Sequence, residues 1–299
     1  MKTQKLVLSA ILVAVAFGVS AQDYAFKVLA NKGNNEVKAG ENWQPLKTGA
    51  ALQSGDEVRL GDNSYVGLVH ISGKPVEVKE AGVHKISALA EKVGAGSSVL
   101  NKYTDFILSS NSAEAQKNRL SATGAVHRAL DDDAAIKVFL PEKDKSGIFN
   151  NTAVINWDAS NVAGPYVVTV INMFEDVLIK AETPETSYEV DLSNPKLANE
   201  TAILIQVSAK ADAKQVSKQH MIKKLSPAEL EKVSAAVQEI KGEVSEETAM
   251  NKLYLASFYE KNNLLIDAIC AYEEAVKLEP EVTVFKDSYQ EFLLRNHLK

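Results

Sequence analysis

The chain has 299 residues, 45% of them hydrophobic and 24% charged, with a formal net charge of −6. That length accommodates two or three domains, each with a core of its own. The acidic balance argues against nucleic acid or an anionic lipid surface as partner, because counterion release needs clustered Lys and Arg. A single cysteine, Cys270, excludes an intramolecular disulfide.

The first stretch, Met1 to Ala21, has the features of a cleavable export signal. Lys2 and Lys5 form a positive start, Leu6 to Phe17 is a short apolar run, and Val19-Ser20-Ala21 supplies small residues for a peptidase. Cleavage before Gln22 is expected, which makes the mature protein exported, either periplasmic or extracellular. No later stretch is long and apolar enough to span a bilayer.

Residues 22–96 read as a small all-β module. Candidate strands are Ala25–Ala30, Glu57–Leu60, Tyr65–Ile71 and Val76–Lys79, separated by Gly and Asn. The Tyr65 strand is apolar on both faces, which suits the centre of a packed sheet. Trp43, Leu46, Gly49, Leu52, Gly55-Asp56-Glu57-Val58 and Asn63-Ser64, followed by Gly73, Val76 and Val78, resemble the FecR-type periplasmic domain. Bacterial SH3-like modules share the Gly-Asp turn and stand as the alternative. The resemblance implies an extracytoplasmic sensing or scaffolding role.

Residues 97–135 read as a helix and linker. Val99, Leu100, Tyr103, Phe106 and Ile107 recur at three and four residues, a helical period. Ser109 to Gly124 is polar and rich in Ser, Asn and Ala, as expected of an exposed connection. Asp131-Asp132-Asp133 is better read as a solvated acidic turn than as a metal site, since consecutive carboxylates on one loop do not converge on one ion unaided.

Residues 136–224 read as a β-sandwich of seven short strands: Ile136–Leu140, Ala153–Trp157, Tyr166–Asn172, Val177–Ala181, Ser187–Leu192, Ala202–Ala209 and Gln219–Lys223. Ala153, Ile155 and Trp157 alternate on one side, as do Ile203, Ile205, Val207 and Ala209. Trp157, the Tyr166 strand and the Leu-x-x-Pro before Ala202 resemble a fibronectin type III-like or Ig-like domain, with Ala202 where that family has Tyr. Trp157 is expected to plug the core between sheets.

Residues 225–299 read as helical. Ser226-Pro227-Ala228-Glu229 is a helix start, with a capping serine, a proline at the first position and an acid three residues on. The helix is expected to end near Lys241, with Leu230, Val233, Val237 and Ile240 along one face. Two short helices then join at Lys261-Asn262-Asn263 and stop at Pro280; a last one, Val282 to His297, carries Phe285, Tyr289, Phe292 and Leu293.

Small residues at Ala256 and Ala268 allow two helix backbones to approach, with Tyr259 and Tyr272 beside them. With Leu255, Ala275 and Pro280 they resemble one tetratricopeptide repeat, with Lys252 where the family has Trp. The resemblance implies protein binding through the inner face of the first helix, at Met250, Leu253, Ser257 and Glu260.

No catalytic motif, phosphate loop or paired-cysteine metal site occurs, so neither enzyme activity nor a cofactor is expected. His70 and His84 could meet within the first module, but separately hydrogen-bonded histidines are the simpler reading. Cys270 reads as a small buried residue. The expected architecture is β followed by α, and the expected function is a non-enzymatic adaptor whose partner is another envelope protein. Binding of cell wall or glycan by the first β module is the alternative.

Overall fold

The computed structural model describes residues 24–93, 98–110, 134–244 and 247–298. The expected export signal and the Asp131-Asp132-Asp133 turn lie outside the described residues.

The first module has eight strands: β1 (Phe26–Lys32), β2 (Asn35–Ala39), β3 (Asn42–Pro45), β4 (Ala51–Leu52), β5 (Glu57–Leu60), β6 (Tyr65–His70), β7 (Pro75–Val78) and β8 (Gly82–Lys85). They form two four-stranded sheets, β4-β1-β6-β7 and β3-β2-β5-β8. Phe26, Val28, Leu52, Val58, Leu60, Val66 and Leu68 make a core in this module, capped by Ile86 of α1 (Ile86–Val93). The sequence periodicity missed β2, β3, β4, β8 and α1, all of them short or weakly alternating.

Strand β6 is apolar on both faces because both are covered. Val66 and Leu68 point into the module core, while Tyr65 and Val69 belong to a second cluster that continues into the rest of the chain. A register shift in β1 between Val28 and Ala30 places Leu29 and Ala30 in that second cluster too.

The middle segment has β9 (Lys137–Val138), β10 (Gly147–Ile148), β11 (Thr152–Asp158), β12 (Tyr166–Ile171), β13 (Val177–Thr183), β14 (Ser187–Asp191), β15 (Ala202–Ala209) and β16 (His220–Lys224). A five-stranded sheet has the order β10-β16-β15-β12-β13, and a three-stranded sheet the order β14-β11-β9. Strand β10 was not anticipated; its two residues pair in parallel with Lys223 and Lys224. Trp157 is 3% exposed and meets Tyr166 edge-on at 5.5 Å, linking the two sheets.

Six described helices complete the chain. Beside α1 they are α2 (Ser98–Ser110), α3 (Pro227–Glu243), α4 (Ala249–Lys261), α5 (Leu265–Leu278) and α6 (Thr283–Arg295). Helix α3 starts with a full capping box between Ser226 and Glu229 and runs past Gly242. It is anchored mainly through its C-terminal half: Val237 and Ile240 are buried and Val233 packs partly against the same cluster, whereas Leu230 is 42% exposed. Ala256 and Ala268 have no exposure, so the α4 and α5 backbones approach closely. Asn263 makes the turn between them with a positive φ of 61°.

The helices lie between the two β units and share an apolar cluster with both. Gly67 lets Met250 of α4 come against β6; a Cβ there would stand 3.0 Å from the Met250 sulfur. Tyr65 meets Phe285 of α6 edge-on at 6.0 Å, and Glu77 of β7 accepts the Met250 N–H at 2.8 Å. On the other side α5 lies along β11. The odd residues of that strand, Ala153, Ile155 and Trp157, are buried, while the Val154 N–H reaches Cys270 and the Asn156 amide reaches Glu273 and Tyr289.

Candidate interaction surface

Three of the residues expected to meet a partner are fully enclosed. Met250, Leu253 and Ser257 have zero exposure, and the Glu260 side chain is only 8% exposed. Helix α2 of the same chain lies across this part of α4. Its Tyr103 meets Phe258 at 5.8 Å, its Thr104 hydroxyl bonds the Tyr254 hydroxyl at 2.8 Å, and both hydroxyls reach the Gly73 carbonyl. Phe106 and Ile107 line a small gap with Leu253, Ser257 and Arg295.

Glu260 is engaged as well. It accepts from Arg295 Nε and Nη2 at 2.8 and 2.9 Å and from the Asn296 side chain at 2.9 Å. The expectation of an open binding face on α4 is therefore corrected. A helix face of small and apolar residues reads the same in sequence whether another chain or its own chain covers it.

The polar residues singled out from the sequence have structural roles. Cys270 is 8% exposed; its thiol donates to the Thr152 carbonyl and its sulfur accepts from Val154 N–H, both at 3.3 Å. Burial pushes the thiol up to about 12, so the reactive thiolate is scarce at neutral pH. His70 bonds Ser72 at 2.8 Å and packs edge-on against Phe26, and burial lowers its pKa. His84 bonds the Glu80 carbonyl at 2.7 Å instead. Among the described residues no group of three His, Cys, Asp or Glu side chains is placed to hold a metal.

A cleft of about 630 Å³ lies beside β7 and the start of α4, lined by Lys74, Glu77, Lys79, Lys92, Glu243 and Asn251. Its charges largely answer one another: Lys74 meets Glu243 at 3.3 Å, and Lys79 bridges Glu77 at 3.0 Å and Glu279 at 2.6 Å. Glu77 is further committed to the α4 N-terminus through the Met250 N–H.

Among the described residues the most prominent exposed apolar feature is the turn joining β12 to β13. Phe174 is 85% exposed, Met173 48% and Val177 58%, so three large apolar side chains stand in solvent within five residues. The turn that carries them is tightly held. The Asn172 carboxamide oxygen accepts from the Phe174 and Asp176 N–H groups at 2.9 Å each, and its nitrogen donates to the Asp176 carboxylate at 3.0 Å. Asn172 is itself buried, and Glu175 takes a positive φ of 71° to close the turn.

No protein-family model matches the chain, and no curated protein matches it. The sequence carries a signal for the exposed turn: Met173-Phe174 stands between turn residues, where a solvated loop has no use for two large apolar side chains. Among the described residues no helix is long and apolar enough to cross a membrane.

Proposed function

We propose that this protein is an exported, non-enzymatic adaptor or scaffold of the bacterial envelope. In this reading it comprises a FecR-like module, a fibronectin III-like or Ig-like sandwich, and one tetratricopeptide-like helical pair that clamps the two together. Supporting the sandwich assignment are the facing five- and three-stranded sheets with Trp157 between them. The small residues Ala256 and Ala268 at the α4–α5 contact support the repeat assignment. Export rests on the sequence of Met1 to Ala21; N-terminal sequencing of the secreted protein should find Gln22 first, and an intact Met1 would argue against it.

The observation that carries the adaptor reading is the Phe174 tip. An exposed aromatic gains binding energy when buried by a partner, and a turn held in advance has little entropy left to lose. The alternative, glycan or cell-wall binding by the first module, would need an open aromatic platform. Its candidate, Trp43, has one ring face covered by the Arg59 guanidinium at 4.3 Å, which Glu36 holds in place. The adaptor reading is tested by affinity capture from native envelope extract, with wild type, Phe174→Ser and the distant surface change Val83→Ser compared. A protein retained by wild type and Val83→Ser but lost with Phe174→Ser is expected. Equal capture by all three would remove the tip from the argument.

A further inference from the structure

We infer that the partner offers an extended, basic strand that adds to the open edge of β13, with the Met173-Phe174 tip as its apolar anchor. This rests on the adaptor reading and names the chemistry of its partner. Strand β13 ends its sheet, bonded to β12 on one side only. At seven residues it is the longest edge strand among those described; the other edges, β3, β4, β7, β8, β9, β10 and β14, have between two and five.

Long open edges are normally shielded by charge, proline, a bulge or a covering element, because their N–H and C=O groups recruit other strands. Here β13 has one such device at its start, a bulge that leaves Leu178 without a β12 partner; from Ile179 to Thr183 the strand runs in register, with Lys180 as its single basic residue and Val177 in solvent. Such an edge supplies main-chain hydrogen bonds to an added strand, and the exposed side chains beside it supply selectivity.

Charge selects the occupant. From Glu175 to Glu185 the chain carries Glu175, Asp176, Glu182 and Glu185 against Lys180, a net of −3, and Lys210 answers Glu182 at 2.6 Å, which leaves the edge at −2. A second copy paired edge to edge would bring a second acidic edge alongside the first. An anionic lipid surface would be repelled in the same way. A strand alternating Lys or Arg with apolar residues meets the acids and covers Val177 and Phe174.

The test uses the mature full-length protein and a synthetic peptide of alternating Val and Lys, with a terminal Pro to block stacking on itself. A Val–Glu peptide of the same length, and zwitterionic and anionic vesicles, serve as comparisons. Calorimetry should show binding of the Val–Lys peptide only. Hydrogen exchange should slow at β13 amides, and Phe174→Ser should weaken affinity about tenfold or more. The substitution is at an exposed position, so its melting curve should match wild type.

The proposal is overturned if β13 amides are not protected or if the Val–Glu peptide binds equally well. It is also overturned if Phe174 instead mediates concentration-dependent self-association or vesicle binding. If the peptide fails while Phe174→Ser still loses the envelope partner, the strand chemistry falls and the adaptor reading stands. If both fail, the hairpin is not the contact surface.

Discussion

A single carboxylate oxygen of Asp267, in the first turn of α5, accepts both the backbone N–H and the side-chain amide of Asn150, each at 2.8 Å. Its other oxygen accepts the Phe149 N–H at 2.8 Å. One buried acid thus ties the central helices to the loop entering β11. Its desolvation outweighs these three donors and pushes its pKa up from 3.8 to about 6.

The folded state therefore binds this proton more tightly than the unfolded chain does. Its contribution to stability is greatest below about pH 4 and is lost as pH rises to about 6, a change on the order of 3 kcal/mol. Asp267→Asn cannot titrate. The stability of wild type relative to Asp267→Asn, from urea melts, should fall between pH 4 and pH 6.5; a pH-independent difference would show that Asp267 keeps an ordinary pKa.

Trp157 is enclosed and its indole N–H has no hydrogen-bond partner among the described residues, so packing is what it contributes. Trp157→Ala should cost about 3–5 kcal/mol by leaving a cavity beside Tyr166. Trp157→Phe should cost less than the alanine change, because a ring still fills most of the space and no hydrogen bond is lost. Denaturant midpoints check both, and a near-neutral alanine variant would contradict the burial.

Gly73 occupies the β6–β7 turn with a φ of +87°, and a Cβ there would stand 2.5 Å from the Asn101 side-chain oxygen. Its carbonyl also receives the Thr104 and Tyr254 hydroxyls. Gly73→Ala should lose about 1–3 kcal/mol from the left-handed conformation and the collision with α2. Adding Asn101→Ala should recover only the collision part. Strict additivity of the two changes in thermal melts would mean that the turn and α2 are not coupled.

Ser257 bonds the Leu253 carbonyl at 2.9 Å and has no exposure. An open α4 face would tolerate Ser257→Arg without loss of stability. With α2 and Tyr272 closing that space, the change should instead cost at least about 3 kcal/mol, since it buries an unpaired guanidinium. Circular dichroism melts decide, and an unchanged melting temperature would reopen the face to a partner.

Much of the local structure was legible because its causes are local. Ser226 and Glu229 form their capping box from residues three apart, and the alternation of Ile203, Ile205 and Val207 marks a half-buried strand. Ala256 and Ala268 announced a close helix contact, and strand β6 announced two covered faces. The order of β followed by α came from the same signals. Short strands such as β4 and β10 escaped, because two residues carry no period and exist only through the neighbours they pair with.

What covers each face was decided at long range. Met250 meets Gly67, Tyr254 meets Thr104, and Cys270 meets Thr152, at separations that no periodicity reports. An apolar helix face has the same sequence whether it awaits a partner or already holds one, so the α4 residues looked available until α2 was seen across them. Phe174 is the converse. Its place between two candidate strands is legible as a turn, but the sequence does not say whether the ring folds back onto the core; the Asn172-held turn, which carries it beyond the end of the sheet, leaves it in water.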